Sequence, residues 1–444
     1  MAAFLKPLFP AGILLLILSA ASLFFGADAP LASYVFSGVL LLLTGGWVIA
    51  CPQQAALPQT LIVPVVLLAG FMALDLFLGR IWPALPEYAS LAAAGAVFLM
   101  ARGWSRASDR ALILWHWMII AMAILSVWAL IDFILAPETI FGRARPWHEN
   151  RLSMTFLSAN TAASFLGIGV LLGLSEILKL IIRTGFQRPL MLAEEIIRKA
   201  FPALVLLVIG FLDLILTASR AGLTFTLVSA AILILWEIDA ARRKAGERVG
   251  KGLGQTLIVI AGIGAVSIIL WGFYAEILGA RTSGLAEDAN SRAVMYQAYA
   301  GSLSQSPLIG HGLGSFAEVN NRLMTADNAN VLASQGAAHN IELQWLMQAG
   351  IFGTAAMFGV MAVIFGAIWQ GLSTRRRLRG NLRAIICVSL FIVLHGQVDF
   401  AIEIPGLMWW WALLLGLGAG IADGRARPPK RPRRKIGSKG YWAG

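Results

Sequence analysis

Charge is scarce in this chain. Of its 444 residues only 13% are Asp, Glu, Lys or Arg, while 58% are hydrophobic. Ordinary globular chains carry about 25% charged and roughly 45–50% apolar residues. The mean hydropathy is +0.76. No soluble fold could hide that much apolar surface, which excludes a cytosolic enzyme, a disordered scaffold and a secreted disulfide module. Cysteine is nearly absent: Cys51 and Cys387 are the two present, in no metal-ligand pattern. Neither HxxxH nor HExxH occurs, and no internal repeat is visible. A polytopic membrane protein remains.

Apolar windows of about 20 residues mark membrane spans. They fall near 11–26, 31–50, 60–79, 84–101, 111–136, 155–178, 201–218, 221–238, 255–275, 341–369, 382–400 and 405–423. The expected fold is all-α, a polytopic transmembrane bundle of about 12 helices with a long periplasmic loop. Backbone groups in lipid must be satisfied within the protein, so the spans must be helical. With the N-terminus inside, 27 of the 35 basic residues fall on the cytoplasmic side. That asymmetry sets the orientation and explains the net charge of +12 without invoking nucleic acid. Both termini are then cytoplasmic. The first span has a signal-peptide look, with Ala27-Asp28-Ala29 after it; a retained helix is expected. Three regions follow: N-terminal helices over 1–140, a catalytic membrane region over 141–424 with an outer loop at 276–340, and a basic cytoplasmic tail over 425–444.

All eight outer basic residues are Arg, the residue suited to two-pronged phosphate binding. Arg220 lies in Thr217-Ala-Ser-Arg-Ala-Gly222 between two long apolar runs, where an arginine is costly unless it faces a cavity or partner. Arg292 is expected at the start of a loop helix over Ser291–Ser304, where the helix dipole would oppose it. Arg143, Arg145 and Arg151 bracket Trp147 and His148, and Asn160 is expected two turns inside the sixth span. His339 stands where the outer loop re-enters the membrane, followed by Asn340. Histidine is the usual general base, with an unperturbed pKa of about 6.5. For His311 and His395 a structural role leads. The Gly310-His-Gly-Leu-Gly314 run lacks the strand of a dinucleotide loop. One acidic pair, Glu287-Asp288, is weak support for a cation site, so no metal is expected.

Five stretches in this order resemble the bacterial O-antigen ligase and polymerase superfamily of integral membrane glycosyltransferases. They are Arg151-Leu-Ser-Met-Thr-Phe with Asn160; Leu216-Thr-Ala-Ser-Arg-Ala-Gly222; Ser291-Arg-Ala-Val-Met-Tyr-Gln-Ala; Pro307-Leu-Ile-Gly-His-Gly-Leu-Gly-Ser-Phe316; and Ala338-His-Asn-Ile-Glu-Leu-Gln344. Met154 departs from the pattern, standing where small residues are common. The resemblance covers roughly residues 140–420. It implies an inner-membrane enzyme that takes a glycan from undecaprenyl diphosphate at the periplasmic face. The acceptor is the lipid A core sugar for a ligase, or another lipid-linked repeat for a polymerase. It implies metal-independent, inverting transfer without a cofactor, with His339, Arg220 and Arg292 as the catalytic residues. Arg143, Arg145, Arg151, Asn160 and Asn340 are the expected substrate-binding residues. A transporter or flippase is the rival of another class, with Asp75, Asp132 and Asp213 as its pathway. A peptidoglycan polymerase is a third.

Overall fold

The computed structural model describes residues 9–144, 151–184, 189–245 and 285–424. Among the described residues the helices of eight or more residues are α1 (Phe9–Leu23), α2 (Pro30–Ala50), α3 (Gln59–Phe77), α4 (Ile81–Ser105), α5 (Ser108–Leu135), α6 (Ala159–Thr184), α7 (Pro189–Leu216) and α8 (Arg220–Ala245), then α9 (Leu285–Ser302), α10 (Phe316–Leu323), α11 (Ile341–Thr374), α12 (Arg379–Gly396) and α13 (Pro405–Asp423). Ten of them are long and apolar enough to cross a membrane, and α1 is a shorter apolar helix. The protein is a polytopic helical bundle. Among the described residues the one interruption by strand is a hairpin, β1 (Thr139–Ile140) with β2 (Arg143–Ala144). Eleven expected spans coincide with helices; the span at 255–275 lies outside the described residues.

Three boundaries differ from expectation, each for a local reason. Helix α7 starts at Pro189 rather than 201, because its polar first half runs into a break at Ala200 (φ −135°), just before Pro202. Pro202 cannot donate to the helix ladder, which accounts for the break there. Helix α6 starts at Ala159, since residues 151–158 form a non-helical wedge in which Met154 takes φ +54°. Helix α12 ends at Gly396, and the Asp399 carboxylate captures the Ala401 N–H (2.9 Å) to open a short helical turn, Ala401–Glu403.

The central contact is α13 on α4. A Cβ on Gly416 would sit 2.4 Å from the Phe98 carbonyl oxygen, and one on Gly420 would sit 2.3 Å from that of Arg102. Small residues four apart thus let two backbones touch, the usual basis of packing in lipid, where burial alone does not drive association. At this far end of the bundle two arginines are locked into ion pairs. Arg102 bonds Asp423 and the Ala56 carbonyl (2.7 Å), and Arg383 grips Glu237 with two contacts of 2.9 and 2.6 Å.

Helix α11 is not one continuous rod. It breaks at Gly350 (φ +59°, ψ −168°). The freed backbone groups pair with the Pro307–Phe316 turn: Ile351 N–H donates to Pro307 O (2.9 Å), Phe352 N–H to Leu308 O (3.1 Å), and Gly312 N–H to Gln348 O (2.8 Å). Irregular backbone near the membrane is tolerated where protein satisfies it, as it does here. A Cβ on Gly310 would lie 2.3 Å from Gln348 O, so the turn admits no side chain at that position. Asp75 anchors the turn from α3. It accepts from the Tyr88 hydroxyl (2.6 Å) and the Leu313 N–H (3.2 Å), while Arg80 donates to Gly310 O (3.0 Å).

Candidate functional site

Four segments from different parts of the chain meet at the end of the bundle opposite the Arg102 and Arg383 pairs. They are the 151–160 wedge, the turn before α8, the 285–340 loop region, and the connection between α12 and α13.

Arg151 is 8% exposed. Its Nε donates to Thr217 O (2.8 Å), and its Nη2 to Asn160 Oδ1 (3.4 Å). Asn160, at the start of α6 rather than two turns inside, donates through Nδ2 to Asp399 Oδ2 (2.7 Å). That same oxygen lies 3.9 Å from His339 Nδ1. At this length the two groups interact electrostatically, beyond direct hydrogen-bond reach. The Phe400 ring meets the imidazole edge-on at 5.0 Å. Burial alone would push the Asp399 carboxyl up. The two imidazoles of His339 and His395 and the Asn160 amide outweigh it and hold the carboxyl below its ordinary range. Asp399 is 1% exposed, His339 26%. An ionised, buried carboxylate thus stands behind a solvent-reachable imidazole.

His339 itself has φ +51°, a left-handed backbone that a non-glycine residue adopts at a cost. Three side chains hold it there. Tyr296 donates its hydroxyl to His339 O (3.0 Å). Gln344 Oε1 accepts the Ala338 N–H (2.6 Å). Asn340 caps α11, with Oδ1 accepting from Leu343 N–H (2.8 Å) and Nδ2 donating to Gln397 O (3.0 Å). The Asn340 side chain is therefore committed to the fold at both ends, which speaks for a supporting role rather than a substrate contact.

Arg292 lies about two turns inside α9, which begins at Leu285, so the expected conflict with the helix dipole does not arise. It is half-buried, one turn before Tyr296 on the same face, with its charge acting on both Tyr296 and His395. Burial raises the Tyr296 phenol, with Arg292 opposing that shift and Asp399 adding to it, so this phenol feels both the cation and the carboxylate. Arg220 is the first residue of α8, half-buried. Its turn is shaped by Ala218 (φ +56°), by the Thr217 hydroxyl accepting the Ser219 N–H (3.2 Å), and by the Ser219 hydroxyl accepting the Gly222 N–H (3.2 Å). Arg151 binds the carbonyl of that turn's Thr217, which ties the Arg220 turn to the Asp399 cluster.

Two of the three expected arginines lie among the described residues. Arg151 is built into the cluster, whereas Arg143 is exposed on the β hairpin with its guanidinium 5.6 Å over the Phe25 ring. Arg145 lies outside the described residues, as do Trp147 and His148. His395 is structural, as expected: it is 2% exposed, bonded to Ser164 Oγ (2.7 Å) and stacked on Phe391. His311 is held by Ser302 O (3.2 Å). Among the described residues, no three His, Cys, Asp or Glu side chains are grouped to hold a metal ion. Asp399 and Tyr296 were missed by sequence reasoning. The signal for Asp399 was available: an ionisable residue at the end of an apolar span is a functional candidate by default.

Residues 204–358 match the family model for O-antigen ligase. Over that stretch the chain is similar to the O-antigen ligase family. The matched region contains Arg220, Arg292, His339 and Gln344. Arg151, Asn160 and Asp399 lie outside it and join it only in three dimensions. No match was found among curated proteins.

Proposed function

We propose that this protein is a member of the O-antigen ligase family that moves a glycan from undecaprenyl diphosphate to an acceptor sugar at the periplasmic face of the inner membrane, with the lipid A core as acceptor. The reading rests on one observation above the others: His339, reachable by solvent, is backed by the buried Asp399, and its carbonyl is held by Tyr296, one helical turn from Arg292. With Nδ1 turned to Asp399, Nε2 is the nitrogen that takes the acceptor hydroxyl's proton. The acceptor oxygen attacks the anomeric carbon from the face opposite the diphosphate. The bond from that carbon to the diphosphate oxygen breaks, and the configuration inverts. Asp399 stabilises the imidazolium that forms. Arg220 and Arg292 stabilise charge on the departing diphosphate, a role that fixed guanidinium groups can fill without a metal. Residues 141–424 form the catalytic membrane region, 1–140 support it, and 425–444 form a basic cytoplasmic tail.

Deletion of the gene, read on lipopolysaccharide gels, tests this. Polymer lost from lipid A core, with lipid-linked polymer accumulating, is the expected result. Accumulated single repeats mean a repeat-unit polymerase. Unchanged glycans overturn the reading and favour a transporter or flippase. The purified protein is expected to keep its transfer rate in excess EDTA; activity that vanishes and returns with Mg²⁺ overturns metal independence.

A further inference from the structure

Gln344 is 3% exposed, and the two ends of its amide face different partners. Its Oε1 must be the atom toward Ala338, because only a carbonyl can accept that N–H. Its Nε2 then necessarily faces Glu403 Oε2, to which it donates. Glu403 closes the helical turn Ala401–Glu403 in the α12–α13 connection, the same connection that carries Asp399. The amide is therefore a strut from this connection to the residue before His339. We infer that Gln344 and Glu403 are positioning residues for His339, with Glu403 selecting the amide orientation that holds the left-handed turn at 338–339. The inference rests on the proposed role of His339 as base.

The chemistry of the strut makes it sensitive to protonation. An ionised Glu403 can only accept, so it enforces the amide orientation that leaves Oε1 for Ala338. A neutral Glu403 can also donate its O–H to Oε1. In that second arrangement the amide is turned over, presents N–H to N–H, and releases the turn, so a neutral Glu403 no longer enforces the orientation. Burial, with the Glu87 carboxylate adding to it, pushes the Glu403 carboxyl up to about 8. Glu87 projects from α4, Asp28 from the α1–α2 connection acts on Glu87 in turn, and Asp399 lies four residues before Glu403. Because the pKa is raised, the enforcing form gains as pH rises through about 8.

The test uses the purified full-length protein with a lipid-linked donor at saturation, together with peptide-resolved carbethoxylation of His339 by diethyl pyrocarbonate. Gln344→Leu is expected to lower kcat about 10²-fold, the usual cost of a roughly 1 Å misplacement, with little change in donor KM. The carbethoxylation rate of His339 should shift severalfold in the same variant. Glu403→Gln, isosteric and without a titrating proton, should lose the rise in kcat above pH 8 and fall below wild type at pH 9. Wild-type kcat and carbethoxylation in Gln344→Leu overturn the strut. An alkaline rise that persists in Glu403→Gln overturns the role of Glu403. A fully active His339→Ala variant overturns the base, while shifted carbethoxylation in Gln344→Leu would still support the strut.

Discussion

Two buried aspartates organise the same end of this bundle, and they do different work. Asp75 is 0% exposed and bonds the Tyr88 hydroxyl and the Leu313 N–H, with Arg80 at 3.7 Å. Every group around it belongs to the scaffold, and the result is a pinned glycine turn. Asp399 is equally buried, yet one of its neighbours is an imidazole that solvent can reach. What separates a structural carboxylate from a candidate catalytic one here is the titratable, accessible group it faces, not its own burial. That contrast also bears on the transporter rival. Asp75 is consumed by loop anchoring, and Asp213 accepts from Ser126 Oγ (2.5 Å) between α5 and α7.

The sharpest way to break this contrast is at His339. His339→Ala should lower transfer about 10³-fold, within the range for losing a general base, while donor binding survives. Near-wild-type turnover would leave Asp399 as structural as Asp75. Next come the arginines. Arg220→Lys and Arg292→Lys should each lower kcat about 10²-fold, the cost of one preorganised donor, because a point charge cannot reproduce a planar two-pronged grip. Arg220→Lys should be the worse, since its turn is fixed between two spans. Wild-type rates in both variants would remove the diphosphate clamp.

Substituting the two aspartates then separates them directly. Asp399→Asn should cut the kcat of folded protein about 30-fold, less than removal of the base itself, over and above the stability lost with its bonds to Ala401 and Asn160. Asp75→Asn should behave differently. It leaves the specific activity of folded protein intact and destabilises by about 2 kcal/mol through weakened buried hydrogen bonds, read as a lower melting temperature in detergent. Matching profiles for the two variants would erase the distinction. The smallest effect is expected at Ala218, which holds φ +56° beside Arg220. Ala218→Gly relieves left-handed strain but adds unfolded-state freedom, so stability should rise by at most about 1 kcal/mol. A lower melting temperature would show that the methyl group packs more than it strains.

Hydropathy alone placed the spans, because a helix that crosses lipid needs its apolar length in one continuous run, and that length is a local property. The same locality made Arg220, Arg292 and His339 legible as candidates: each stands in a polar stretch between or beside apolar runs. The break of α11 at Gly350 was not legible, since its cause is a turn some forty residues earlier that takes up the freed backbone groups. Nor was the pairing of His339 with Asp399, or the passage from Arg151 through Asn160 to Asp399, which joins residues 151, 160, 339 and 399. Spacing along the chain says which groups can share a helix face. Which connections meet at the end of a bundle depends on how α6, α12 and α13 pack, and only the tertiary structure decides that.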